Sequence, residues 1–226
     1  MALYMNGQEI SQSSGVPILG ATKPYIEEIY NSDGQLISAN MHGYDAIRSY
    51  MFSDCSNLAL TSLPSGITSI GKNAFYNCTS LALTSLPSGL TSIGSNAFYH
   101  CSNSALTSLP SGLTSIGAYA FSYCTKLDLT SLPSGLTSIE NNVFRGCTNL
   151  TLTSLPSGIT SIGNYAFRDC TGLTSITFTG KPNTISSSAF YGCKNLRTIN
   201  VPWAEGAVAD APWGATNATI NYGYAG

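Results

Sequence analysis

The chain has 226 residues, of which 43% are hydrophobic and only 9% are charged, whereas about a quarter of an average soluble domain is charged. Its polarity comes instead from 32 serines and 23 threonines, and the formal net charge is −2. The absence of a cationic excess argues against nucleic-acid and anionic-membrane binding, and no apolar run approaches the roughly 18 residues of a membrane span.

Residues 1–43 form an N-terminal segment that ends in a capping hairpin. Residues 1–9 contain no basic stretch and no long apolar stretch, so no secretory signal is predicted. Residues 23–43 place Asn-Ser-Asp-Gly at 31–34 between two runs of alternating apolar residues, a pattern typical of a β-hairpin. We expect this hairpin to cover the first turn of the structure that follows.

A 23-residue repeat fills residues 44–201 and dominates the sequence. Single residue types recur at this interval, and five copies also contain Leu-Pro-Ser-Gly. Units of 20–50 residues are too short to bury their own apolar face and therefore stack on their neighbours. We predict a solenoid of six to seven units. The cysteines are Cys55, Cys78, Cys101, Cys124, Cys147, Cys170 and Cys193, and the phenylalanines are Phe52, Phe75, Phe98, Phe121, Phe144, Phe167 and Phe190.

Each unit is predicted to contain two short β-strands and one helical corner. In residues 81–101 the first strand ends at Pro87, Pro-Ser-Gly forms a turn, and residues 90–93 form the second strand. Ser-Asn-Ala-Phe-Tyr-His at 95–100 indicates a single helical or 3-10 turn. Leu83 lies one position earlier in its unit than Ile176 does in a late unit, so the first strand of the middle units is expected to be irregular.

This pattern resembles a known family. Leu-x-x-Ile-x-Phe followed by Ile-Ser-Ser-Ser-Ala-Phe-Tyr-Gly-Cys, at residues 173–193, resembles the BspA-like class of bacterial leucine-rich repeats, and the match covers residues 44–202. The resemblance implies a right-handed superhelix of leucine-rich repeats. It also implies a non-catalytic, surface-displayed bacterial protein that binds host proteins, glycans or other cells.

Residues 202–226 are predicted to form a C-terminal cap with a closing strand near 218–224. They contain both tryptophans, Trp203 and Trp213. We expect these side chains to lie over the exposed end of the core rather than to form a ligand platform. An uncapped solenoid end would allow the chain to form a homo-oligomer.

No catalytic, metal or cofactor site is predicted. Each unit offers one cysteine, whereas a zinc site needs about four converging ligands, and stacked cysteine side chains point the same way and resist disulfide formation. We therefore predict a ladder of buried free thiols. His42 and His100 lie in no catalytic motif, and Asp54 and Asp169 are five units apart, too far for a carboxylate pair.

The positions around each Phe vary between units, whereas the inward columns hardly change. Tyrosine, arginine, asparagine and histidine at these corners supply contact area and adaptable hydrogen bonds, although solvated corners also tolerate any polar residue. Regular files of threonine also resemble those of ice-binding proteins. Those proteins place threonines on one face as Thr-x-Thr, whereas here each Thr is followed by Ser, whose side chain points to the other face of a strand. The candidate partner-binding residues are Tyr76, Tyr99, His100, Tyr123, Arg145, Arg168 and Tyr191.

Three functions fit the sequence. The first is a protein–protein or protein–glycan interaction module for bacterial adhesion or host interaction, at the cell surface or outside the cell if a signal was removed. The second is a phage or prophage tail-associated structural or receptor-binding protein, located in the particle or the cytoplasm. The third is a consensus-like engineered repeat, which the irregular ends disfavour.

Overall fold

A computed structural model of the chain describes residues 3–5, 8–10 and 24–225. The described residues form short β-strands stacked around one apolar core, which makes the chain a repeat solenoid as predicted. The strands are β1 (Leu3–Met5), β2 (Gln8–Ile10), β3 (Tyr25–Tyr30), β4 (Leu36–His42), β5 (Ala46–Ile47), β6 (Ser69–Ile70), β7 (Ser92–Ile93), β8 (Ser115–Ile116), β9 (Ser138–Ile139), β10 (Ser154–Leu155), β11 (Ser161–Ile162), β12 (Ser175–Phe178), β13 (Thr184–Ile185), β14 (Thr198–Val201) and β15 (Thr219–Tyr222).

The N-terminal sheet has the strand order β2-β1-β3-β4, and its neighbouring strands are antiparallel. The predicted hairpin is present as β3 and β4, joined by a turn in which Asn31 Oδ1 accepts hydrogen bonds from the backbone of Asp33 and Gln35. The Ala59 N–H donates to the Ile37 carbonyl oxygen at 2.9 Å, which ties the hairpin to the first coil. The pair β1–β2 is absent from the prediction above, although Asn-Gly at 6–7 separates the two strands in the sequence and is a strong hairpin signal.

One layer of parallel strands contains a two-residue strand from each coil, in which an inward isoleucine follows serine or threonine, or alanine in the first coil. The preceding threonines belong to its hydrogen-bond network. Thr91 donates both its backbone N–H (2.8 Å) and its Oγ1 hydroxyl (3.1 Å) to the Thr68 carbonyl oxygen, and Thr114 bonds to Thr91 in the same way. The threonine file is therefore part of the coil-to-coil bonding.

Within the described residues this layer is divided into two sheets, β5-β6-β7-β8 and β13-β11-β9, because β8 and β9 do not pair. Glu140 stands where the neighbouring coils have Gly117 and Gly163. A Cβ placed on Gly117 would lie 2.4 Å from the Ser95 backbone nitrogen of the preceding coil, far inside contact distance. The break lies at the long side chain of Glu140, whereas the small Ser186 at the same position of a later coil leaves β11 and β13 paired, with its N–H 2.9 Å from the Ile162 carbonyl oxygen.

A second sheet, in the order β10-β12-β14-β15, is parallel and confined to the last coils. The corresponding segments of the middle coils are extended but form no strand among the described residues. Between such segments a single backbone bond connects successive coils, such as Ala82 N–H to the Leu60 carbonyl oxygen at 2.9 Å. The prediction of two strands per coil is thus correct only near the C-terminus, and the predicted irregularity of the middle units is confirmed.

The seven phenylalanines of the repeat form a stack through the core. Their ring centroids are 5.1–5.9 Å apart, and the largest step is between Phe121 and Phe144, beside the break at Glu140. At the C-terminal end Trp203 and Trp213 are buried against Phe178, with centroid distances of 5.3 and 5.9 Å. Both tryptophans therefore cover the end of the core, as expected. No described segment is a helix suited to crossing a membrane.

Candidate interaction surface

The corner of each coil consists of overlapping tight turns rather than the predicted helical or 3-10 turn, and the described residues include no helix. In one coil, backbone hydrogen bonds close the turns 94–97 (3.2 Å), 96–99 (3.1 Å) and 98–101 (3.1 Å). The third residues of the first and last of these turns, Asn96 and His100, have φ angles of 55° and 61°, as in type II turns. A left-handed residue at every fourth position prevents a right-handed helix from forming, so this part of the prediction is wrong.

Backbone hydrogen bonds also connect each corner to the next coil. The Phe98 N–H donates to the Ala120 carbonyl oxygen and the His100 N–H to that of Ser122, both at 2.8 Å. Equivalent corner residues therefore stack directly on one another, and their side chains form columns along the solenoid.

Two of these columns have a left-handed backbone, except at Ser188, the last position of the first column, where φ is not positive. This conformation is easy for glycine and tolerable for asparagine and aspartate, but unfavourable for bulky residues. Backbone geometry thus explains most of the Asn, Asp and Gly that the sequence shows at variable corners, but it does not explain tyrosine there. The first column is Tyr50, Asn73, Asn96, Tyr119, Asn142 and Tyr165, and the second is Asp54, Asn77, His100, Tyr123, Gly146, Asp169 and Gly192.

The seven predicted site residues all lie along this corner, and we call them, together with Tyr119 and Tyr165 at the same corners, the corner strip. The four N-terminal predicted residues are in contact. Tyr76 and Tyr99 are stacked with centroids 4.9 Å apart, and the Tyr123 ring meets Tyr99 and His100 edge-on at 5.8 and 5.9 Å. The Arg145 guanidinium lies over the Tyr123 ring at 5.3 Å, which extends this cluster by one coil.

A second cluster occupies the next two coils. The Arg168 guanidinium lies 5.0 Å from the Tyr165 ring centroid and 5.2 Å from that of Tyr191. Arg168 Nε also donates to Asp169 Oδ2 at 3.1 Å. Tyr165 is missing from the predicted site residues, and so is Tyr119, which is 37% exposed in the same column. The variability of that column is the signal that identifies both.

A chain of side-chain hydrogen bonds runs along the N-terminal half of the second column. Asn77 Nδ2 donates to Asp54 Oδ1, and Asn77 Oδ1 faces His100 Nδ1, both at 3.2 Å. Because an amide oxygen only accepts, the His100 Nδ1 carries the proton in this arrangement. The chain fixes the imidazole ring within the corner strip. No group of three or more His, Cys, Asp or Glu side chains in the described ranges could hold a metal ion.

The cysteines lie behind the corner and form the predicted ladder of free thiols. Six of them donate Sγ–H to the carbonyl oxygen of a phenylalanine in the preceding coil, at 2.9–3.1 Å. Burial raises the pKa of Cys124 to about 12. These thiols are therefore protonated packing residues at neutral pH and take no part in the exposed surface.

A separate groove of about 420 Å³ lies between β4 and residues 59–64 of the first coil. Serine, threonine and asparagine side chains line much of it, together with His42. No member of the corner strip borders this groove.

Comparison with solved structures finds bacterial leucine-rich repeat proteins. A leucine rich cell surface protein from Faecalibacterium prausnitzii is 29% identical, with a TM-score of 0.64 over 84% of this chain and 56% of that protein. A leucine-rich repeat protein from T. pallidum is 25% identical (TM-score 0.46, 78% and 81% covered). One from Bacteroides ovatus is 19% identical (TM-score 0.46, 90% and 77% covered). This chain thus spans little more than half the length of the F. prausnitzii protein.

No curated protein matched the chain, and none of the comparisons supports the phage or prophage alternative. The sequence does match the family model for the BspA type leucine rich repeat region, in six copies, over residues 45–151 and 103–206. These matches cover more than half of the chain and coincide with the 23-residue repeat. The resemblance seen in the sequence is therefore confirmed, and the chain belongs to the BspA-type leucine-rich repeat family.

Proposed function

We propose that the chain is a non-catalytic interaction module that binds a protein or glycan partner through the corner strip. Leucine-rich repeats of this type are generally interaction modules. The solenoid holds the outward side chains on a rigid frame, since stacked rings and backbone hydrogen bonds fix every corner against the next. A rigid surface of this kind loses little conformational entropy when it binds.

The observation that carries this proposal is the presence of tyrosine where the backbone is left-handed. Tyr119, Tyr123 and Tyr165 have φ angles of 61°, 61° and 55°, and a bulky residue in this conformation costs roughly 1–2 kcal/mol. Other coils carry asparagine, aspartate or glycine at the same positions, so the fold does not require tyrosine there. Strain of this kind concentrates at functional sites. The free energy gained when a partner binds compensates for its cost.

The composition and shape of the corner strip support the same conclusion. Tyrosine and arginine are the residues enriched among those that dominate binding energy in interfaces. The strip runs along five coil-to-coil steps, which at the spacing of neighbouring strands is about 24 Å. A surface this long and narrow suits an extended partner such as a glycan chain or a peptide segment.

The setting that we propose is bacterial adhesion or host interaction at the cell surface. This part of the proposal is supported by the similar protein from F. prausnitzii, which is described as a cell surface protein and is 29% identical. Association of two copies through the solenoid ends is a further part of it. The exposed edge of β15, the last strand of its sheet, offers the backbone groups for such a contact.

A binding array of glycans and extracellular-matrix proteins tests the proposal. The informative variant is Tyr119→Asn/Tyr123→Asn/Tyr165→Asn, because asparagine is the residue that other coils use at such positions. We expect it to unfold at the same or a higher urea concentration than the wild type and to lose the binding that the wild type shows. Tyr224→Asn, which removes an exposed tyrosine outside the strip, is the control and should bind normally. Unchanged binding by the triple variant contradicts the proposal.

A further inference from the structure

Arg145 and Arg168 occupy the same position in successive coils, but only Arg168 has a carboxylate partner. Arg168 Nε donates to Asp169 Oδ2 at 3.1 Å. The residue after Arg145 is Gly146 instead of an acid, and Arg145 forms neither an ion pair nor a side-chain hydrogen bond with any described residue. The corner strip therefore contains one guanidinium whose charge the protein leaves uncompensated.

Packing, rather than hydrogen bonding, holds Arg145 in place. Its guanidinium lies 5.3 Å from the centroid of the Tyr123 ring, and its Nε is buried without a hydrogen-bond partner. Gly146 makes this arrangement possible, since a Cβ there would lie 2.7 Å from Tyr123 Cδ1. The glycine thus allows the tyrosine ring to lie close to the backbone, beneath the arginine. The guanidinium is fixed in position while its hydrogen-bond donors remain unused.

The same corner contains a second polar group without a partner. Asn142 precedes Arg145 by one turn and is only 4% exposed, yet its Oδ1 accepts no hydrogen bond. Of the three buried side-chain polar atoms without partners in the described part of the chain, two belong to Asn142 and Arg145. Buried polar atoms are rarely left unpaired, so this corner is exceptional within the described residues.

We propose that the corner formed by Tyr123, Asn142 and Arg145 binds the carboxylate of an acidic saccharide. This inference rests on the proposed function, because it identifies the ligand class at one part of the corner strip. The planar guanidinium matches a carboxylate and binds it through two parallel hydrogen bonds. The ligand's carboxylate forms with Arg145 the ion pair that Asp169 forms with Arg168.

A saccharide fits this corner better than an acidic peptide. A hexuronic acid combines a carboxylate, hydroxyl donors and an apolar C–H face on one rigid ring. The carboxylate complements the outer N–H groups of Arg145, and the apolar C–H face complements the aromatic side chains of the corner strip. An aspartate or glutamate side chain contributes a carboxylate alone, and ordering such a flexible side chain costs up to roughly 2 kcal/mol.

Calorimetric titration of the full chain with an oligogalacturonate, and with a neutral oligogalactoside of the same length, tests the inference. We expect the oligogalacturonate alone to bind, and Arg145→Gln to weaken it by at least about tenfold, because a hydrogen bond to a charged group is lost. Arg48→Gln is the matched control and should stay within about twofold, since it removes another guanidinium that lies over a tyrosine ring, 5.9 Å from the Tyr44 centroid, but outside the corner strip. Gly146→Asp, which introduces the acid found in the next coil, should also abolish binding.

Four results overturn the inference. These are equal binding of the neutral oligosaccharide, undiminished binding by Arg145→Gln, absence of binding to either oligosaccharide, and tighter binding of a glutamate-rich peptide of equal charge. Each of them leaves the proposed function intact if the array still detects a partner that the tyrosine variant loses. Failure of the tyrosine variant to lose its partner contradicts the proposed function instead.

Discussion

The Cys124 thiol donates to the Phe98 carbonyl oxygen across two successive coils, with Sγ 3.0 Å from the oxygen. The same oxygen also accepts the Cys101 backbone N–H at 3.1 Å, so both of its lone pairs are used. A cysteine at this position fills a small apolar space and satisfies a buried acceptor at the same time. This double role, shared by six of the seven cysteines, explains why the thiol recurs along the ladder.

Thiol labelling should therefore distinguish Cys55 from the other six cysteines. Cys55 is half-buried, at the N-terminal end of the ladder, whereas the rest are buried. We expect a native sample treated with a thiol-specific chromogenic reagent at pH 8 to react at Cys55 alone, and Cys55→Ser to remove that reaction. In denaturant all seven thiols should react, and a reducing agent should leave the Tm unchanged. Rapid labelling of several thiols in the native Cys55→Ser chain would contradict the ladder.

The same thiols should make stability depend on pH above 9. Burial raises the pKa of Cys78 and of Cys193 from 9.0 to about 12. Above pH 9 the unfolded chain releases protons that the folded chain retains, so the free energy of unfolding falls as the pH rises and is undiminished below pH 9. Each such thiol contributes up to about 1.4 kcal/mol per pH unit between pH 9 and pH 12.

Urea unfolding at pH 8, 9.5 and 10.5 measures this effect. The variant Cys78→Ala/Cys193→Ala lacks two of the thiols and should lose stability less steeply over the same range, whatever its stability at pH 8. Parallel curves for the variant and the wild type would mean that the thiols do not cause the dependence.

Phe121→Ala should destabilise the chain by about 3–5 kcal/mol, because it leaves a cavity in the ring stack. Phe121 is 1% exposed and lies between Phe98 and Phe144, at centroid distances of 5.3 and 5.9 Å. Tyr76→Ala, on the half-exposed corner strip, should cost about 1 kcal/mol. Urea unfolding of both variants checks this, and equal losses would show that the inward and outward columns are misassigned.

The inward half of this fold is predictable from the sequence, because apolar packing leaves a periodic record. The columns of Phe52, Cys55 and Ile47 repeat at 23 residues, and the structure places equivalent residues on one another. The capping role of Trp203 and Trp213 follows from the same principle, since an apolar core must be covered where the repeat ends.

The corner backbone is not predictable in this way, because the same residues fit two explanations. Polar residues before and after Ala-Phe are compatible with a helical turn, whereas the structure has left-handed residues such as Asn96 and His100. Asparagine, aspartate and glycine in one column are the signal for that conformation, and tyrosines among them conceal it. All seven predicted site residues do lie on one flank. Only the structure distinguishes Arg145, which pairs with no carboxylate among the described residues, from Arg168, which pairs with Asp169.

The glycine that precedes four of the seven corners offers a direct test of how closely the coils approach. A Cβ on Gly94 would lie 2.6 Å from the Lys72 backbone nitrogen and 2.7 Å from the Gly71 carbonyl carbon, and backbone atoms cannot rotate away as a side chain can. We expect Gly94→Ala to push the coils apart, break the 2.7 Å bond from the Gly94 N–H to the Ile70 carbonyl oxygen, and cost about 2–4 kcal/mol.

Gly89→Ala is the matched control, since nothing lies within 4 Å of a Cβ at that position. It should leave the free energy of unfolding unchanged or raise it by up to about 1 kcal/mol, because alanine restricts the unfolded chain. If both variants lose the same amount, coil contact is not the reason for glycine at position 94.

Glu140→Gly is the reverse experiment, because Glu140 stands at this glycine position where β8 and β9 fail to pair. Removing the side chain should allow the two coils to approach and the backbone N–H at position 140 to reach the Ile116 carbonyl oxygen, as the Gly117 N–H reaches that of Ile93 at 2.8 Å. Hydrogen exchange should then show slower exchange at position 140, with little change at Gly94. Equally fast exchange in both proteins would mean that the interruption has a cause other than the Glu140 side chain.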